Sequence, residues 1–270
     1  MRQRLGQHFL VDPRIVEGIL AETQIAECDC VVEIGAGKGV LTEVLVSQAR
    51  FVVAIEYDQK LTETLQARFA AVPDLRILHA DARSMNYAEL FQKEECLGRK
   101  MKVIANLPYY AATPILLSLF ESARFVYSCT LMFQKEVAER ISASPGSKAY
   151  GTLSVLAQYY SEVRYCFSVP PEAFCPPPKV DSAVVHLRFS ETPRADVVDR
   201  AHFFTLVKAA FIQRRKTLKN ALVKGPQPVC SRERLVAAFH DLGFDDRIRG
   251  ENLSLHDFAR LSNQLSARET

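Results

Sequence analysis

The chain has 270 residues, enough for one large domain or for a large domain and a small one. Its formal net charge of +3 is only mildly basic, so charge alone does not single out a nucleic-acid partner. No signal peptide precedes Gly6 and no apolar run approaches the length of a membrane span, so we expect a cytoplasmic protein with no membrane partner. The six histidines are scattered without zinc-like spacing, and we expect no metal site.

The first informative element is a glycine-rich loop between a strand and a helix. A β-branched run over residues 30–34 leads into three alternating glycines, and an apolar pattern of helical period follows. Val40 occupies the position where a dinucleotide fingerprint has its third glycine, and no Gly-Lys-Ser/Thr sequence closes the loop as in a Walker motif. Gly35 and Gly37 therefore predict close approach of the backbone to a ligand without a pyrophosphate.

Each of the next three candidate strands is followed by polar residues: Glu56 after 51–55, Asp81-Ala82 after 75–79, and Asn106 after 102–105. Such runs alternate with helical patterns, which predicts a largely parallel sheet with helices on both faces. The carboxyl ends of parallel strands meet at one edge, where ligands bind, so we expect these residues to share one site. Glu56 is placed to bind ribose hydroxyls and Asp81 an adenine amino group. Taken singly, each acid could instead be a helix cap or part of a solvated turn.

The segment from Asn106 to Tyr110 indicates what kind of acceptor would bind. The side-chain carbonyl of Asn106 can accept a hydrogen bond, and Pro108 stiffens the backbone so that nearby carbonyls, including that of Leu107, can face a ligand. Tyr109 and Tyr110 supply flat aromatic surfaces. Such a pocket suits a planar ring with an exocyclic amine. The alternative is a proline turn with two packing tyrosines, and Tyr110 has no predicted role.

The C-terminal part of the chain has a different character. Five prolines within residues 169–179 predict a stiff loop. The polar, proline-containing segment 190–194 is followed by an unbroken helical pattern and is the best domain boundary. The predicted domains are accordingly 1–192 and 193–270, and the second is helical.

The predicted helical domain carries a cluster of positive charge. Between Phe203 and Lys224 there are six cations and no acidic residue. As one continuous helix, this segment has an apolar stripe and, beside it, a basic stripe through Lys208, Arg215 and Lys219. The alternative is an ordinary solvated face, but beside a base-accepting pocket phosphate contact is favoured. The predicted RNA-binding residues are Lys208, Arg214, Arg215, Lys216 and Lys219.

Taken together, the motifs resemble those of rRNA adenine N6-methyltransferases and stand in the same order: Gln7-His8-Phe9-Leu10, Glu33-Ile34-Gly35-Ala36-Gly37, Glu56, Asp81-Ala82 and Asn106-Leu107-Pro108-Tyr109. Three more segments, 134–140, 174–182 and 211–220, are similar to those of KsgA-type dimethyltransferases. The resemblance extends from Leu5 to about Leu261. One departure is His8, where bacterial members often carry Asn.

This resemblance implies a fold and a function. The fold is α/β, a class I methyltransferase (Rossmann-like) domain with a mostly parallel central sheet, plus a small all-α C-terminal domain. The implied reaction is S-adenosyl-L-methionine-dependent dimethylation at N6 of two adjacent adenines near the 3′ end of small-subunit rRNA, in an assembling subunit, by a monomer. One alternative is a large-subunit rRNA adenine N6-methyltransferase of the antibiotic-resistance type, against which segments 174–182 and 211–220 argue. The other is a non-catalytic ribosome-assembly factor on the same fold.

The resemblance also implies roles for individual residues. Asn106 and Leu107 would hold the acceptor amine, and the base would stack between Tyr109 and Phe174. The implied catalytic residues are Asn106, Leu107, Pro108, Tyr109 and Phe174. The implied cofactor-binding residues are Gln7, His8, Leu10, Gly35, Gly37, Glu56, Asp81, Ala82 and Asn106.

Overall fold

The computed structural model describes residues 8–93 and 100–266. Its strands are β1 (Phe9–Leu10), β2 (Cys30–Ile34), β3 (Phe51–Glu56), β4 (Leu75–His79), β5 (Met101–Asn106), β6 (Val126–Gln134), β7 (Ser161–Val169), β8 (Phe174–Cys175) and β9 (Ser182–Phe189). Its α-helices are α1 (Pro13–Thr23), α2 (Val40–Gln48), α3 (Gln59–Arg68), α4 (Tyr87–Lys93), α5 (Ala112–Glu121), α6 (Lys135–Ile141), α7 (Thr152–Tyr160), α8 (Arg200–Ile212), α9 (Leu218–Lys224), α10 (Arg232–Leu242) and α11 (Leu255–Ser266). Short 3-10 helices occupy Ala123–Phe125, Pro171–Ala173 and Gly250–Asn252.

The central sheet has the strand order β4-β3-β2-β5-β6-β9-β7. Strands β2 to β6 pair in parallel, and β9 pairs antiparallel with β6. Every residue of β2 and of β3 is buried, as expected for β-branched runs in a sheet covered on both faces. The predicted mostly parallel sheet is confirmed.

Glycines with left-handed backbone make the turn from β2 into α2. Gly35, Gly37 and Gly39 have φ angles of +78°, +58° and +80°, a region that strains other residues. At Gly39 a side chain would also collide, because an added Cβ would lie 2.8 Å from Leu65 Cδ2 and 3.0 Å from Phe69 Cε2. The turn is thus fixed both by its backbone conformation and by close packing of α2 against α3.

The chain divides into two compact units. The first comprises residues 1–138 and 162–191, and the second comprises residues 139–161 and 192–270. The later boundary falls next to the predicted one. The predicted first domain, however, includes residues 139–161, which belong to the second unit and supply its helix α7.

Long-range contacts place residues 139–161 in the second unit. Tyr159 of α7 packs against Phe203 of α8 with ring centroids 5.4 Å apart. The backbone N–H of Gly146 donates to the carbonyl of Glu251 at 2.7 Å. Because these partners lie far along the chain, the local pattern of residues 139–161 does not indicate them.

Residues 203–224, which we call the basic segment, were predicted to form one helix. The structure instead has two helices there, α8 and α9. Thr217 caps α9, since its side-chain oxygen accepts a hydrogen bond from Asn220 N. The prediction of one continuous basic stripe along a single helix is therefore wrong. Lys208 lies in α8, Lys219 in α9, and Arg215 in the turn between them.

Within residues 8–93 and 100–266, no helix is both long enough and apolar enough to cross a bilayer. In the same residues, no three His, Cys, Asp or Glu side chains are grouped so that they could hold a metal ion.

We expect Gly39→Ala to lower the free energy of unfolding more than Gly146→Ala does. The two glycines have φ angles of +80° and +83°, so alanine costs roughly 1–2 kcal/mol of backbone strain at either position. Only at Gly39 does the new methyl group collide with packed side chains, whereas no described atom lies within 4 Å of one at Gly146. Urea unfolding of both variants measures the difference, and equal losses would contradict the packing role of Gly39.

Candidate active site

A cavity of about 410 Å³ lies in the first unit, at the carboxyl ends of the parallel strands. The residues that follow β2, β3, β4 and β5 line it, together with β1 and β8. The predicted residues that line it are His8, Leu10, Gly35, Gly37, Glu56, Asp81, Ala82, Asn106, Leu107, Pro108, Tyr109 and Phe174. Gln7 lies outside the described residues. One cavity thus brings together residues that four separate strand ends supply.

Backbone hydrogen bonds tie the glycine loop to the neighbouring strand β3. The N–H groups of Gly35 and Ala36 both donate to the Ile55 carbonyl, at 2.8 and 3.2 Å. On the other side, a Cβ on Gly35 would lie 3.3 Å from the carbonyl oxygen of Asn106. The loop therefore runs between the ends of β3 and β5 and presents bare backbone to the cavity.

Glu56 lies at the end of β3 and is only 5% exposed. Backbone N–H groups hold its carboxylate in place. Its Oε1 accepts from the N–H groups of Tyr57 and Asp58, and its Oε2 accepts from Gly37 N, all at 2.8 Å. These three donors replace the water that a buried carboxylate loses. A carboxylate has about four lone-pair sites, so Oε2 keeps one for a donor in the cavity. One ribose hydroxyl of the predicted contact would occupy that site, and a second would need to share an oxygen with a backbone N–H.

Asp81 is engaged by Arg83. Its carboxylate accepts from Arg83 N at 2.9 Å, from Nε at 3.0 Å and from Nη2 at 2.6 Å. The side-chain hydrogen bonds from this guanidinium lower the pKa of Asp81, so the carboxylate stays ionised. Arg83 Nε also donates to the second oxygen at 3.2 Å, so two hydrogen bonds from Arg83 reach each Asp81 oxygen. The predicted adenine contact would therefore share a carboxylate oxygen with Arg83.

Glu33 is a site residue to which the sequence analysis assigned no role. It lines the cavity, is 1% exposed, and accepts a 2.6 Å hydrogen bond from the Thr42 hydroxyl. Burial raises its pKa to about 8, the Thr42 hydrogen bond opposes that rise, and the nearby Glu56 carboxylate adds to it. A neutral carboxyl can donate as well as accept a hydrogen bond. The signal in the sequence is an acid inside the apolar run 30–34.

At the end of β5, the side-chain amide of Asn106 has a defined orientation. Its Nδ2 donates to the His8 carbonyl at 3.4 Å, and among the described residues Oδ1 has no hydrogen-bond donor. The N–H of Leu107 donates to the Met132 carbonyl at 3.4 Å. The segment is therefore held by His8 and by Met132, and within residues 8–93 and 100–266 nothing donates to Asn106 Oδ1.

The aromatic residues predicted to stack the base both line the cavity. The hydroxyl of Tyr109 is 2.8 Å from Ser182 Oγ, and its ring stacks on that of His8 with centroids 6.1 Å apart. Phe174 is 4% exposed and belongs to the hydrophobic core cluster that also contains Leu10. The proline-rich segment predicted as a stiff loop contains β8, which pairs antiparallel with β1 and sets Leu10 opposite Phe174.

The five cations predicted to bind RNA lie in the second unit and differ in their surroundings. Arg214 donates to the Lys148 carbonyl at 2.8 Å and pairs with Glu251. Lys219 forms an ion pair with Asp246. The structure describes no ion pair for the remaining three, which are exposed: Lys208, Arg215 and Lys216.

Comparison with known proteins identifies the family. The chain matches the family described as "Ribosomal RNA adenine dimethylase" over residues 1–266. This chain belongs to the ribosomal RNA adenine dimethylase family. Relatives include the ribosomal RNA small subunit methyltransferase A of Shouchella clausii, 42% identical over 98% of this chain and 90% of the relative. The protein of the same name from Magnetococcus marinus is 44% identical over 97% of this chain and 90% of the relative. The predicted resemblance is confirmed.

Two solved structures are similar to this chain over most of its length. A dimethyladenosine transferase from Plasmodium falciparum has a TM-score of 0.78 at 26% identity and covers 94% of this chain and 96% of its own. The 23S rRNA methyltransferase ErmE has a TM-score of 0.71 at 23% identity and covers 96% of this chain and 99% of its own, which shows the fold alone. The predicted class I methyltransferase fold is confirmed.

We expect Glu33→Gln to gain stability relative to the natural protein as the pH rises. In the folded protein the pKa of Glu33 is raised to about 8 from its ordinary value of 4.5. Stability that the neutral carboxyl contributes is therefore fully present below about pH 4.5 and is lost as the pH rises toward 8. Glutamine cannot ionise, so the variant should gain up to a few kcal/mol over this range.

Urea unfolding of both proteins at about pH 5 and about pH 8 tests this expectation. A stability difference that is the same at both pH values would mean that Glu33 is already ionised in the folded protein.

Proposed function

We propose that this protein dimethylates N6 of two adjacent adenines near the 3′ end of small-subunit rRNA, with S-adenosyl-L-methionine as the methyl donor. Family membership over nearly the whole chain and the names of the relatives support this proposal. The observation that carries it is that one cavity joins the strand-end acids to the Asn106–Tyr109 segment. In this proposal the protein acts as a monomer in the cytoplasm, on an assembling subunit.

The residues around the glycine loop fit this cofactor. Glu56 keeps acceptor capacity toward the cavity and would hold the ribose, and Asp81, which also lines the cavity, would hold the adenine. Gly35 and Gly37 present bare backbone, against which the amino-acid portion would lie. His8, Leu10 and Ala82 line the same space. When bound, S-adenosyl-L-methionine supplies a methyl group on a positively charged sulfonium.

The acceptor side fits an adenine amino group, which is a poor nucleophile because its lone pair is delocalised into the ring. Asn106 Oδ1 and the Leu107 carbonyl would accept its two N–H bonds and so favour a pyramidal nitrogen with an available lone pair. No strong base is needed beforehand, because the nitrogen becomes acidic only after it has been alkylated. These residues act through position and electrostatics.

Aromatic side chains would hold the base while it is outside the RNA helix. Stacking on aromatic residues contributes roughly 1–3 kcal/mol per base. The Tyr109 hydroxyl is anchored on Ser182, so this ring is fixed before a base arrives. Phe174 is fixed by the pairing of β8 with β1. Two fixed rings lose little conformational entropy when the base binds.

Some exposed cations of the second unit have no described ion pair. We expect these cations to contribute most to RNA binding. Lys208, Arg215 and Lys216 can each neutralise a phosphate without first leaving an acidic partner among the described residues. Arg214 and Lys219 would first have to leave Glu251 and Asp246. We therefore assign the larger electrostatic contribution to the first three.

We expect Asn106→Ala to reduce methylation by roughly 100-fold or more, since one preorganised polar group in an active site contributes a factor of this order. The assay offers undermethylated small subunits and labelled S-adenosyl-L-methionine, and identifies the modified nucleoside after digestion. Asn86→Ala is the matched control, because Asn86 caps α4 outside the cavity. Absence of dimethyladenosine with the natural protein, or full activity of Asn106→Ala, would overturn the proposed function.

We expect the double variant Arg215→Gln/Lys216→Gln to bind small subunits with a weaker salt dependence. The slope of log affinity against log salt should fall by about 0.7–0.9 for each phosphate that the variant no longer neutralises. Lys219→Gln should change the slope less, because Lys219 is already paired with Asp246. Titrations at several salt concentrations give the slopes, and an unchanged slope in the double variant would contradict the assigned RNA contact.

A further inference from the structure

Tyr110 is an exposed aromatic residue that the proposed mechanism does not use. It lines the active-site cavity, yet 53% of its surface is exposed. The adjacent Tyr109 is partly buried and anchored on Ser182, so the two tyrosines differ in their surroundings. Tyr57, another exposed tyrosine that lines the cavity, directly follows Glu56, whereas Tyr110 directly follows the Asn106–Tyr109 segment. Tyr110 is thus the exposed ring of the acceptor segment.

Arg83 holds this ring from one side. Its guanidinium carbon lies 5.4 Å from the centroid of the Tyr110 ring, a distance typical of a cation–π contact. The same guanidinium donates through Nε and Nη2 to the Asp81 carboxylate. A planar guanidinium bound at two points keeps its orientation. The exposed Tyr110 ring therefore packs against a guanidinium of fixed orientation, and the same guanidinium contacts Asp81.

We propose that Tyr110, supported by Arg83, is a stacking platform for the nucleotide that flanks the acceptor adenine. This inference rests on the proposed function, in which the substrate presents two adjacent adenines. When one base occupies the cavity, its neighbour along the RNA is one nucleotide away, within reach of a ring such as Tyr110 that both lines the cavity and is exposed. Stacking on an aromatic ring tolerates any base, so the platform can serve whichever neighbour is outside. Tyr110 binds the substrate, and Arg83 is its positioning residue.

The platform makes a specific kinetic prediction. The flanking nucleotide does not react, so its stacking energy is the same before and during methyl transfer. Loss of such uniform binding raises KM and leaves kcat unchanged. Tyr110→Leu should raise the KM for undermethylated small subunits by roughly 5- to 150-fold, the factor that corresponds to one stacked base. Tyr110→Phe keeps the ring and should stay close to the natural protein.

Arg83→Gln separates the positioning role from the stacking role. This variant removes the support of Tyr110 and also the guanidinium that orients Asp81. We expect a raised KM for the subunit together with weaker binding of S-adenosylhomocysteine, measured by calorimetry. Tyr110→Leu should leave the binding of S-adenosylhomocysteine unchanged, which also shows that this variant is folded.

Tyr127→Leu is the matched control, because Tyr127 is also exposed and its ring also lies near an arginine, Arg188, at 4.7 Å. It does not line the cavity, so its variant should keep the natural KM. The platform is overturned if Tyr110→Leu leaves KM unchanged, if Tyr127→Leu raises it equally, or if Tyr110→Phe is as damaging as Tyr110→Leu. Absence of adenine methylation by the natural protein would instead contradict the proposed function.

Discussion

The hydrogen bond from Gly37 N to the Glu56 carboxylate joins the loop after β2 to the end of β3, and the active-site cavity depends on it. Glu56 is almost completely buried, so it must replace its lost water with backbone donors. Gly37 can supply one only because its left-handed backbone turns the chain back toward β3. The conformation of the loop and the position of the carboxylate therefore fix one another.

Three carboxyl groups lie near this bond, and each has a different environment. Glu56 accepts hydrogen bonds from three N–H groups, and Asp81 accepts from the guanidinium of Arg83, which lowers the pKa of Asp81. Glu33 accepts a hydrogen bond from the Thr42 hydroxyl, and its burial raises its pKa and so favours the neutral form. The same residue type thus meets a donor-rich environment at the edge of the sheet and an apolar one inside it.

The sequence predicted most of the first unit, because strand ends of a parallel sheet must meet at one edge. Glu56, Asp81 and Asn106 could be placed together for this reason, without any knowledge of their contacts. The engagement of Asp81 by Arg83, the raised pKa of Glu33 and the contact of Arg83 with the Tyr110 ring could not be predicted. Each depends on side-chain distances and on burial, which periodicity does not specify. The same limit applies to Arg214 and Lys219, which are equivalent to their neighbours in charge but are held in ion pairs by distant acids.

By itself, the sequence determined the family, the mostly parallel sheet, and the strand-end residues that line the cavity, since these follow from local periodicity and from motifs at strand ends. Tertiary structure alone decided that residues 139–161 join the second unit, that the basic segment breaks at Thr217, and that β8 pairs with β1. The physical reason is the same in each case. A residue's final partners are chosen by packing and hydrogen bonding with groups far along the chain, and these energies outweigh the local helical preference of residues 203–224.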